Sequence, residues 1–136
     1  MKKILFLICL LASSAISFSQ VVKFKITSVS FRDYDETTET WDEWSEGKEL
    51  NILGFIDSEN ERVKIFSETE QNYDVIENKG ERTDNDGDDV VEWICVNEDG
   101  VKCSLKLITI NSQDKRKQLY INFNNFMLVY NFYFLE

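Results

Sequence analysis

The chain reads as an all-β protein, an up-and-down meander of about eight strands closing into a small barrel, with a two-sheet β-sandwich as the alternative. Apolar residues alternate with period two along most of its length, and no stretch carries a sustained apolar stripe of helical period. The alternating runs are separated mainly by polar connections of hairpin length. The last run, Phe126 to Leu135, is apolar on both parities and so requires cover on both faces. A strand inside a sheet, or one that closes a barrel against the first strand while some aromatics face a ligand cavity, meets that requirement.

The elements follow in order. Lys2 and Lys3, the apolar run from Ile4 to Leu11 and the exit Ser17-Phe18-Ser19 before Gln20 have the layout of a secretory signal peptide. Residues 1–19 are therefore expected to be removed, leaving a single all-β domain over residues 20–136 of a secreted or periplasmic bacterial protein. The run from Ile4 to Phe18 is shorter than the roughly 20 apolar residues of a spanning helix. No transmembrane span is expected after cleavage, and Cys9, inside the run behind Ile8, is not placed for a lipid anchor.

Val22, Phe24 and Ile26 mark one face of a first strand, and Val29 with Phe31 continues on the opposite parity, which predicts a bulge near Thr27 and Ser28. An acidic stretch follows in which Trp41 and Trp44 are three residues apart; a short helical turn, an irregular loop and a polar strand all remain open there. Leu50 to Ile56 and Arg62 to Phe66 read as strands joined across residues 57–61, and Asn72 to Glu77 as a further short strand. A long polar turn is expected from Asn78 to Asp89, with Gly80 and Gly87 giving it backbone freedom. Val90 to Ile110 reads as a hairpin around Glu98-Asp99-Gly100, with Gly100 in the left-handed position, which sets Asn97 opposite Val101 and Cys95 opposite Cys103. After the basic turn Asp114 to Lys117, Leu119, Ile121 and Phe123 share a face, and Asn124-Asn125 turns the chain into its last strand.

Composition excludes several functions. Without its first 19 residues the chain has 117, enough for one hydrophobic core, and its 15 basic residues fall to 13 against 25 acidic ones. A surface this negative disfavours nucleic acid, whose binding relies on Lys and Arg displacing counterions. The absence of histidine removes the commonest general base and the commonest zinc ligand, so histidine-dependent hydrolases and zinc enzymes are excluded. No segment carries a catalytic or cofactor motif, and neither enzyme activity nor a cofactor is expected. Cys95 and Cys103, opposed in one hairpin and destined for an oxidising compartment, are expected to form a disulfide. Both cysteines in one hairpin, with Trp93 just ahead of the first, is not the immunoglobulin pattern.

Two groups of residues are candidate sites. Asp84, Asp86, Asp88 and Asp89 surround Gly87 in a turn that offers oxygen ligands for calcium, although Arg82 and Trp93 stand where a helix-loop-helix calcium loop places its first aspartate and closing glutamate. Trp41 and Trp44, beside Asp42 and Glu43, combine flat apolar faces with hydrogen-bond acceptors, as sugar and cation sites do. With Trp93 they are the expected ligand contacts. The exit Ser17-Phe18-Ser19-Gln20 and the course of Arg62 to Phe66, Tyr73 to Ile76, Cys95 to Cys103 and Gln118 to Asn131 resemble small secreted β-proteins of Bacteroidota-type bacteria. Those are mostly of unassigned function, and some are lipocalin-like. The Gly-x-Trp of true lipocalins is missing near the first strand, and no functional residue carries over from the resemblance. The expected function is non-enzymatic binding of a small apolar or sugar-like ligand. The alternative is an acidic interaction or structural module, an inhibitor or surface accessory protein, that meets a basic protein partner and has no ligand cavity.

Overall fold

Period-two alternation is realised as nine antiparallel strands in the computed structural model, which describes residues 21–135. The expected signal peptide lies outside the described residues. The strands are β1 (Val21–Asp35), β2 (Thr40–Trp41), β3 (Lys48–Asp57), β4 (Arg62–Ile65), β5 (Gln71–Thr83), β6 (Asp89–Asn97), β7 (Lys102–Ile110), β8 (Arg116–Asn122) and β9 (Phe126–Phe134). Each pairs with the next in meander order, except that β2 pairs only with β1 and it is β1 that continues to β3. β9 returns to β1, so eight strands close a barrel and β2 is an extra strand on the edge of β1. Closure removes the open sheet edges that a sandwich would leave.

The bulge expected in β1 is present. The pairing of β1 with both β3 and β9 shifts between Ile26 and Ser28: against β9 Thr27 is the extra residue, and against β3 the extra residue lies on β3, between Glu49 and Ile52. Phe24 and Ile26 therefore point inward before the bulge, and Val29 after it. On the outer face Asn131 holds the irregularity: its Nδ2 donates to Ser28 Oγ at 2.8 Å, and Thr27 Oγ1 donates to its main-chain oxygen at 3.3 Å. Phe24, Ile26, Ile65, Leu105, Leu119 and Ile121 fill the centre of the barrel and are almost wholly shielded from water.

The expected long turn at residues 78–89 is corrected. β5 runs on to Thr83, and only residues 84–88 turn. Two register shifts, between Val75 and Glu77 and between Asn78 and Gly80, let this polar strand stay paired with β6. Gly80 takes φ +83°, the left-handed conformation that side chains resist. Main-chain pairing, with Arg82 Nη1 donating to Glu92 Oε1 at 3.0 Å, extends the hairpin without burying a side chain, which is why a pattern of buried residues did not reveal it. The Glu98-Asp99-Gly100 loop forms as expected, with Gly100 at φ +77° and Asn97 N donating to Val101 O at 2.9 Å. The Asn124-Asn125 turn is closed by Phe123 N donating to Phe126 O at 2.8 Å.

Gly54 on β3 lies across from Phe24, and a Cβ added there would fall against the Phe24 ring and 2.9 Å from the Lys64 carbonyl oxygen. Overfilling a packed core costs typically about 1–3 kcal/mol. Gly54→Ala is expected to lower the urea midpoint by that order, and adding Phe24→Leu is expected to restore part of the loss, a non-additivity that equilibrium unfolding of the three variants measures.

Candidate functional site

Alternation along β9 places Phe126, Leu128, Tyr130 and Phe132 on one face, and the barrel turns that face inward. Near the closed middle Phe132 packs against Phe24, with ring centroids 5.1 Å apart. Towards the end that carries the β4–β5 and β8–β9 turns the packing gives way to a cavity of about 550 Å³, open to solvent. Val29, Leu50, Ile52, Phe123, Phe126 and Leu128 supply apolar wall, and Phe31 stands 47% exposed at the rim. Lys48, Ser67 and Glu68 add polar groups, and Gln71, Tyr73 and Tyr130 complete the lining.

Those last three form a polar bar. β5 and β9 are four strands apart in either direction around the eight-stranded barrel, so they face each other across its interior. Gln71 Nε2 on β5 donates to Tyr130 Oη on β9 at 3.1 Å, and Tyr73 Oη donates to Gln71 Oε1 at 2.6 Å. Gln71 Nε2 also donates to Ser67 Oγ at 2.9 Å, and Ser67 Oγ donates to Thr69 O at 2.6 Å. The bar divides the barrel into a packed half and an open half. Burial pushes the Tyr73 phenol well above its ordinary value and raises that of Tyr130, so both hydroxyls carry their protons at neutral pH.

The sequence-predicted contacts lie elsewhere. Trp41 and Trp44 hold the Arg32 guanidinium on the outside of the barrel, 5.2 and 4.7 Å from their ring centroids. Arg32 Nε also donates to Met127 Sδ at 3.4 Å, and Trp44 meets Tyr120 edge-on. The second indole is 36% exposed, but neither ring lines the cavity. Trp93 packs against the core and lines a separate pocket of about 130 Å³ at the opposite end. The three tryptophans are thus not brought together.

Among the aspartates, Asp84, Asp86 and Asp88 each place a carboxylate oxygen within 4.8 Å of the others, and Asp89 is not one of the group. Asp84 Oδ1 accepts hydrogen bonds from the Asp86 and Asp88 amides, an arrangement that closes the β5–β6 turn, and Asp89 receives Thr83 Oγ1 and Asn111 Nδ2. Three carboxylate oxygens are half the smallest calcium shell.

The expected disulfide is corrected: Cys95 and Cys103 are opposed, as the hairpin register requires, but both are free thiols. Asn97 and Val101 form a hydrogen-bonded pair, so two residues further along Cys95 and Cys103 do as well. At such positions opposing side chains stand further apart than at the alternate ones, and a Cα separation that suits a bridge is not sufficient. Burial pushes the Cys95 thiol up to about 12 and that of Cys103 to about 11.

Comparison of the chain with protein-family models, with curated proteins and with solved structures returns no match. Sequence reasoning left open whether aromatics of the last strand face a cavity, and it missed Gln71 and Tyr73 and gave Tyr130 no role. The parity of Phe126, Leu128 and Tyr130 was a usable signal for the β9 wall; nothing local to Gln71 says that it reaches across the barrel.

In the chain beginning at Gln20, unfolding without reductant is expected to expose two alkylatable cysteines that the native protein shields, as counted by intact mass. A requirement for reductant would show a bridge instead. Because burial holds both thiols neutral above their ordinary value of 9.0, their contribution to stability is full below that pH and is lost as pH rises through about 11 to 12. Replacing both with alanine is expected to flatten the alkaline fall in the urea midpoint.

Proposed function

We propose that the protein is a non-enzymatic, secreted or periplasmic barrel that holds a small apolar ligand in its open end. The observation that carries this reading is the cavity of about 550 Å³ above the Gln71–Tyr130 bar, a volume within the usual range for small-molecule sites. Its walls are aliphatic and aromatic with few polar groups, which favours an apolar ligand over a sugar, whose hydroxyls need partners in several directions. The open volume also favours this reading over an interaction module with a filled interior. It agrees with the resemblance to secreted β-proteins, some of them lipocalin-like. The apolar wall residues Leu50 and Leu128 replace the tryptophans as the proposed contacts.

Titration with N-phenylnaphthylamine, a neutral apolar fluorophore, tests the reading. Emission is expected to rise and saturate at one fluorophore per chain. Leu50→Trp, which fills the cavity from β3, is expected to weaken binding at least about tenfold while the circular dichroism spectrum is unchanged. Equal binding by the variant, or no binding by either protein, overturns the proposal.

A further inference from the structure

The hydrogen bonds of the polar bar leave one donor unspent. Ser67 Oγ has a single proton, and it goes to Thr69 O at 2.6 Å. Facing Gln71 at 2.9 Å, that hydroxyl can only accept, so the Gln71 amide must turn its nitrogen towards it. Rotating the amide by half a turn would set Oε1 against the hydroxyl oxygen with no proton between them. With the nitrogen so placed, Gln71 also donates to Tyr130 Oη, and Tyr73 donates to Gln71 Oε1. The direction of every bond in the bar therefore follows from one serine. Tyr130 is cast as an acceptor, and its own proton has no acceptor among the described residues. Its side chain lines the cavity and the residue is 4% exposed, so the unspent donor is presented to the cavity at the foot of an apolar chamber.

Resting on the binding role above, we propose that the ligand carries a neutral hydrogen-bond acceptor, of carbonyl or ester type, that receives the Tyr130 hydroxyl proton, with its apolar body directed towards Phe31, Phe123 and Phe126. A lone donor in an apolar site selects for its complement, since leaving a buried polar group unpaired costs more than making the bond gains. The acceptor is neutral for two reasons. The bar contains no cation, and a carboxylate lowered to it would lose its hydration without a countercharge. Lys48, the one basic residue of the lining, is exposed at the rim in a segment that holds eight carboxylates between Asp33 and Glu49, a field that opposes anions at the entrance.

Displacement of N-phenylnaphthylamine by three probes of equal chain length tests the proposal: a medium-chain methyl ketone, the alkane and the carboxylate. The ketone is expected to displace the fluorophore at about fivefold to tenfold lower concentration than the alkane, the worth of one net hydrogen bond, and the carboxylate least well. In Tyr130→Phe the ketone is expected to lose its advantage over the alkane, the two probes being compared within the variant. Ser67→Ala, which leaves both tyrosines in place but frees the amide to turn and accept the Tyr130 proton, is expected to reduce that advantage as well. Fluorophore binding without preference for the ketone, a preference that survives in Tyr130→Phe, or stronger displacement by the carboxylate overturns the acceptor proposal and leaves the binding role standing. Failure of the fluorophore to bind the wild-type protein overturns both.

Discussion

Closure of β9 on β1 is the constraint from which the rest of the structure follows. β1 is the longest strand, and along the middle of its length it is paired on both edges, by β3 and by β9. The irregularity at Thr27 appears in both pairings at the same place, β1 carrying the extra residue against β9 and β3 carrying one against β1. That bulge reverses which parity faces inward, and it bends the strand as a small barrel requires. Without it, either Phe24 and Ile26 or Val29 would turn towards solvent. The hydrogen bonds of Asn131 to Thr27 and Ser28 place the polar support for the bulge on β9, the strand whose pairing closes the barrel.

A barrel closed in this way has an interior that side chains can fill at one level and leave open at another. Eight strands enclose a space that side chains are just able to fill. Gly54 admits the Phe24 ring in the packed half, whereas Leu50, Ile52 and Leu128 line the cavity of the open half. The Gln71–Tyr130 bar lies between the two regimes. A polar group placed there would ordinarily weaken a core, yet each member meets a partner, and the amide is held from three sides. What is left over is a single proton on the open side.

Most of this fold was legible because its information is local. Period-two parity located the strands, a parity reversal located the Thr27 bulge, and Gly100 in a three-residue loop fixed the register that opposes Cys95 and Cys103. The misreadings have a shared cause in properties that sequence spacing does not encode. β5 continues through Asn78 to Thr83 on main-chain pairing, with nothing to bury and hence no pattern to read. The cysteines are correctly opposed, yet whether an opposed pair is hydrogen-bonded or not depends on the phase of the ladder, and that phase decides how close their side chains come. Gln71 and Tyr130 are 59 residues apart and meet only because β5 and β9 occupy opposite walls.

The tryptophans show how a residue type can signal a site correctly in kind and wrongly in place. Two indoles beside acidic residues do bind a cation, but the cation is Arg32 of the same chain. Among the described residues none of the carboxylates between Asp33 and Glu49 takes part in a salt bridge, so no ion pair holds that segment. It is held instead by indole faces on a guanidinium, by Tyr34 against Trp41, and by main-chain bonds such as Ser45 N donating to Phe31 O at 2.8 Å. Packing against a delocalised cation resists screening better than an exposed ion pair, because the guanidinium is weakly hydrated and the ring faces cover it. The aromatic residues thus fix an acidic connection beside Phe31, at the rim of the cavity, and bring negative charge to its entrance without occupying it.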